Sequence, residues 1–146
     1  MGFFDRVKEL AGKAQKYSLA TLTPDKRTAH CAVRALALIT AADGKVEESE
    51  VALASEVISK DMRIIKYMGV SDALEAFQAY VAEVLDSSAA MRPIVIARVV
   101  GTIGEHCPPA NRNEVYTIAE SMAAADGEVA PAEKVILDKL KAALKV

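Results

Sequence analysis

Apolar residues recur at three- and four-residue spacing along most of the chain, the pattern of helices that each turn one face toward a core. Between residues 3 and 17, Phe3, Phe4, Val7, Leu10, Ala11 and Ala14 are interleaved with Asp5, Arg6, Lys8, Glu9, Lys13 and Lys16, which predicts an amphipathic first helix. Thr23 followed by Pro24 reads as an N-cap and first helical position. They open a second helix through Cys31, Val33, Leu36, Leu38 and Ile39 to about Ala42, ended by Asp43-Gly44. A third helix starts near Glu48 and carries Val51, Leu53, Val57 and Ile58. It breaks around Asp61 before a short piece through Ile64 and Ile65, which Gly69 stops. Ser71 is the expected cap of a helix with Leu74, Phe77, Tyr80, Val81, Val84 and Leu85. An apolar helix follows from near Pro93 and ends at Cys107-Pro108-Pro109. Two more run from about residue 111 to 125 and from about 131 to 144. The pattern predicts an all-α fold of about seven helices and no strand, in a single globular domain over residues 1–146.

Composition sharpens this picture in two places. The chain is 52% hydrophobic but only 5% aromatic, with no Trp, so small side chains dominate and helix axes can approach closely. The net charge of -2 gives no overall footprint for nucleic acid. The most apolar run, residues 93–100, is interrupted by Arg98 and falls far short of the roughly 20 residues of a membrane span, so it is read as a buried helix. Cys31 and Cys107, with no secretory leader before them, are read as reduced thiols of a cytoplasmic protein.

The informative feature is a repeat. Ala42-Asp43-Gly44-Lys45-Val46-Glu47-Glu48-Ser49-Glu50 is matched by Ala125-Asp126-Gly127-Glu128-Val129-Ala130-Pro131-Ala132-Glu133. Both copies spell D-G-x-V-x-x-x-E between two expected helices, so the chain contains two pseudo-repeated helix–acidic loop–helix units, about residues 25–60 and 111–145. Asp, Gly, an aliphatic residue and Glu fall at this spacing in the second part of a calcium-binding EF-hand loop. The earlier ligand positions would here be Ile39 and Ala41, or Met122 and Ala124, which offer no side-chain oxygen. Each loop alone would therefore bind calcium weakly, and converging loops would bind it better. Asp43, Glu50, Asp126 and Glu133 are the candidate ligands of a divalent cation, calcium first among them. Glu47, Glu48 and Glu128 extend an acidic interaction surface. An architectural reading stands beside this one: Glu50 and Glu133 can serve as half of a capping box, Val46 and Val129 as staple residues, and the aspartates as Asx-turn acceptors.

Residues 43–50 carry a net negative charge and residues 60–66 a net positive one, which suggests faces of opposite sign and an adaptor that docks a basic partner without metal. His30-Cys31 and His106-Cys107 invite a soft-metal reading, but neighbours on a helix point about 100° apart and neither pair forms a chelate alone. No phosphate-binding loop or nucleophile–base set is visible, so an enzyme is not expected.

The paired A-D-G-x-V-x-x-x-E loops, with the start Met1-Gly2-Phe3-Phe4-Asp5, resemble the tellurite-resistance protein family TerB over essentially the whole chain. The resemblance implies an all-helical cytoplasmic protein without catalytic activity, acting in tellurite and stress resistance. It further implies assembly with other tellurite-resistance proteins, one of them membrane-embedded, at the inner face of the membrane. It marks the acidic residues Asp43, Glu50, Asp126 and Glu133, without fixing their ligand.

Overall fold

A computed structural model describes residues 19–125 and 127–146. The helix expected over residues 3–17 lies outside the described residues, as does Asp126. Within them are seven α-helices and no strand: α1 (Pro24–Thr40), α2 (Glu48–Lys60), α3 (Met62–Tyr67), α4 (Val70–Leu85), α5 (Arg92–His106), α6 (Arg112–Ala123) and α7 (Pro131–Leu144). Short 3-10 turns at Leu19–Thr21 and Pro109–Asn111 precede α1 and α6. None of the described helices is long and apolar enough to cross a membrane.

The fold is organised around α1. Thr23 accepts the Lys26 backbone N–H at 3.4 Å and Pro24 occupies the first turn, so the start is set locally. From Thr28 to Thr40 every residue is buried, and α1 packs against each of the other six helices. A helix surrounded in this way must be apolar all round, which Ala29, Cys31, Ala32, Val33, Ala35, Leu36, Ala37, Leu38 and Ile39 provide. Each of the four polar residues among them finds a partner, although Arg34 Nε stays unbonded. Thr28 and Thr40 donate to the carbonyls of Pro24 and Leu36 at 3.0 and 2.9 Å. His30 shares a 2.9 Å hydrogen bond with the Tyr80 hydroxyl. Arg34 pairs with Glu83 on α4 at 2.7 Å while its guanidinium lies 4.7 Å from the centre of the Tyr80 ring.

The other helices wrap this axis with one face each. Phe77, Tyr80, Val81 and Val84 of α4, Val99 and Ile103 of α5, Val115 and Ala119 of α6, and Ile136 and Leu140 of α7 close one continuous core with α1. The break between α2 and α3 falls where expected, at Asp61, whose carboxylate accepts the N–H groups of Arg63 and Ile64 at 3.0 and 3.1 Å. The start of α4 differs from expectation. Gly69, at φ +82, stands at the N-cap and Val70 opens the helix, so Ser71 already lies inside the first turn.

Candidate functional site

The two acidic loops have nearly the same local geometry. After α1, Gly44 adopts φ +80 and its N–H bonds to the Ala41 carbonyl at 2.9 Å. After α6, Gly127 adopts φ +98 and its N–H bonds to the Ala124 carbonyl at 3.1 Å. Left-handed backbone is strained for any residue with a Cβ, which explains a glycine at both positions. At the far end of each loop a glutamate reaches back to the N-cap of the next helix. Glu50 accepts the Glu47 N–H at 3.3 Å and Glu133 accepts the Ala130 N–H at 3.0 Å. Asp43 accepts the Lys45 N–H at 3.0 Å in an Asx turn, a bond that offsets part of the cost of an anion at a helix C-terminus. The architectural roles foreseen for Glu50, Glu133 and Asp43 are thus occupied.

The likeness is local to the loops. Val46 is buried as a staple residue would be, whereas Val129 is 40% exposed. Beyond the loops, α1 is buried on every side while Glu114, Thr117 and Glu120 of α6 are not.

Both loops open onto one cleft of about 170 Å³. Asp43 and Glu50 line it from the first loop, Glu133 and the Ala130–Ala132 turn from the second, and Ile39, Leu53 and Met122 supply an apolar floor. Glu50 registers this convergence: partial burial raises its carboxyl above the usual range, and the charges of Asp43, Glu47 and Glu133 push the same way against the lowering effect of its bond to the Glu47 N–H. Carboxylates that repel across a shared cleft form a local field suited to a cation. Among the described residues, no three His, Cys, Asp or Glu side chains are grouped closely enough to hold a metal ion by themselves. Glu47, Glu48 and Glu128 are exposed.

Arg92, at the start of α5, was not anticipated as a neighbour of the site. Its guanidinium packs on Gly44, so that a Cβ there would lie 2.7 Å from Arg92 Cζ, while its Nη2 donates to the Ser87 carbonyl at 3.3 Å. A Cβ at Gly127 would meet nothing within 4 Å. Gly44→Ala is accordingly expected to cost about 1–2 kcal/mol, strain plus displacement of Arg92, and Gly127→Ala about 1 kcal/mol from strain alone. Urea titration of the two variants checks the order, and equal losses would refute a role for the Arg92 contact.

The basic stretch 60–66 spends most of its charge internally. Lys60 pairs with Glu56 at 2.7 Å, and Arg63 bridges Glu114 at 3.1 Å and Asp61 at 3.5 Å. It offers less of a free positive face than its charge count suggests. The two His-Cys dipeptides also separate: His30 turns to Tyr80, while Cys31 and Cys107, both buried, are brought together. No sequence signal marked that pairing, because the residues belong to different helices and to no shared motif.

A central buried helix with six helices around it, and two similar loops bordering one cleft, define an all-helical domain. Residues 29–146 match the family described as Tellurite resistance protein TerB, and the chain belongs to that family. The family is a non-catalytic one associated with tellurite resistance. Searches of curated proteins and of solved structures each return no match.

Proposed function

We propose that this chain is a tellurite- and stress-resistance binding module whose cleft takes a divalent cation, calcium in preference to magnesium, and thereby presents an acidic face to other resistance proteins at the cytoplasmic side of the membrane. The observation that carries the reading is the meeting of Asp43, Glu50 and Glu133 in one cleft, with Glu50 raised by burial and by its neighbours' charge. Asp43 and Glu50 would hold the ion from one side and Glu133 from the other, with Asp126 the expected fourth ligand. A bound divalent ion supplies positive charge that offsets the mutual repulsion. Each described carboxylate already accepts a backbone N–H, so few oxygens converge and water completes the shell. Calcium tolerates such irregular coordination, whereas magnesium demands a near-octahedral one.

Calcium titration of metal-stripped protein, followed by amide NMR, tests this. Saturable shifts are expected at Gly44 and Gly127, and none at Gly101 and Gly104 on α5. Absence of shifts at about 1 mM calcium, the weak end of known sites, would defeat the cation reading.

Glu50→Gln separates ligand from architecture. Because the folded-state value of Glu50 is raised, its contribution to stability is present below the unfolded value and is lost as pH rises through the folded one. A neutral glutamine keeps the oxygen that accepts the Glu47 N–H and removes the repulsion. The metal-free variant is expected to be more stable at neutral pH, by on the order of 0.5 kcal/mol, and to bind calcium about tenfold more weakly. Unchanged calcium affinity would leave Glu50 as a capping residue only.

A second reading, a metal-independent acidic adaptor that docks a basic protein, is favoured by the exposed Glu47, Glu48 and Glu128. Complex formation with a resistance protein that survives chelation and weakens as salt rises would select it.

A further inference from the structure

The two cysteines of the chain lie 76 positions apart (107 minus 31) in the sequence and meet in the core. Cys31, in the middle of α1, and Cys107, at the C-cap of α5, are 0% and 2% exposed. They converge on the same carbonyl: Ile103 O accepts the Cys107 backbone N–H at 2.9 Å and lies 4.0 Å from Cys31 Sγ. Cys107 Sγ in turn lies 3.8 Å from the Pro108 carbonyl.

We propose that Cys31 and Cys107 are an oxidation site that a hydroperoxide converts into an intramolecular disulfide. The environment is unequal in the way such a reaction requires. The neighbouring Cys31 thiol lowers the Cys107 thiol below its usual range, against the opposing effect of burial, and the Arg112 guanidinium helps. Arg112 is itself held there by the carbonyls of Gly104, Ala143 and Leu144 at 2.9, 3.4 and 3.2 Å. Cys31 is held protonated, by its neighbour Cys107 and by burial. Cys107 also sits at a helix end, one residue before half-buried Pro108 and two before exposed Pro109, where a molecule the size of hydrogen peroxide needs only local opening of the turn.

In the first step the Cys107 thiolate attacks a peroxide oxygen. An S–O bond forms, the O–O bond breaks and hydroxide leaves, taking up a proton to become water. In the second step Cys31 sulfur attacks the Cys107 sulfenic acid. The S–S bond forms, the S–O bond breaks, and a second water leaves with the Cys31 proton. Two thiols and one hydrogen peroxide become one disulfide and two waters.

The test treats the folded full chain with hydrogen peroxide and follows intact mass and non-reducing peptide maps. Loss of two hydrogens, a peptide linking residues 31 and 107, and a rate independent of protein concentration are expected. With Cys31→Ala, dimedone should trap a sulfenic acid at Cys107; with Cys107→Ala, Cys31 should stay reduced over the same period. Two thiols that remain free after peroxide treatment, or disulfides only between molecules, would overturn the proposal, and that wild-type readout decides the matter even if a variant fails to fold.

Discussion

Replacing Glu83 with alanine is expected to destabilise the fold by about 3 kcal/mol, the cost of leaving a buried partner charge uncompensated. Arg34 and Glu83 are both only 9% exposed at their side chains, and Arg34 Nε already lacks a hydrogen-bond partner. After the substitution the guanidinium would keep only the face of Tyr80, a contact worth less than a buried ion pair. Arg98, 3.8 Å from Glu83 and itself largely exposed, can turn to water. Urea unfolding measures the effect, and an unchanged slope of free energy against urea would mark it as a change in stability alone. A loss below about 1 kcal/mol would mean that the pair behaves as a surface salt bridge. The exposed Lys60–Glu56 pair is the control: Glu56→Ala should leave the midpoint where it is.

Acidification should weaken the fold through the neighbouring histidine. Burial, followed by the charges of Arg34 and Lys26, lowers His30 from 6.5 to about 4, with Asp72 pulling the other way. The unfolded chain therefore takes up a proton below about pH 6.5 that the folded chain refuses until about pH 4. Stability from this residue is full above that window and is lost as pH falls through it, by about 3 kcal/mol in total. Glu50 contributes with the opposite sign, so the comparison should be made between wild type and His30→Gln at each pH. The difference in unfolding free energy between the two is expected to change steadily between pH 6.5 and 4. Direct NMR titration of the His30 ring should give a midpoint near 4, and a midpoint near 6.5 would show that the imidazole charges freely within the fold.

These two predictions concern one network. Tyr80 meets His30 at its hydroxyl and Arg34 at its ring, and both partners lie on the helix that ends in the Asp43 loop. The cleft, lined by Ile39 and Thr40, and the acid-sensitive residue His30 thus share one helix. A change that loosens α1 would be felt at Asp43 and Glu50 as well as in the unfolding curve.

Much of the helical layout was legible because its signals are local. Thr23-Pro24 at the start of α1, Asp61 between α2 and α3, and Pro108-Pro109 after α5 act on backbone groups within a few residues of themselves. Where two local signals competed, the reading slipped. Ser71 has a capping side chain, yet Gly69 alone could adopt the positive φ through which the chain enters α4. The loop residues were equally visible, because a glycine after a helix and a glutamate at the third position of the next are short-range requirements.

By itself, then, the sequence determined the helical class, the central apolar segment and the paired D-G loops, each being a matter of spacing along the chain. Tertiary structure alone decided what meets across it: that Glu50 and Glu133 face one cleft, that Val46 is buried while Val129 is exposed, that Arg92 covers Gly44, and that Cys31 and Cys107 reach the same Ile103 carbonyl. The physical reason is that periodicity states which face of a helix is apolar, whereas the partner of that face depends on how helices distant in sequence pack around α1.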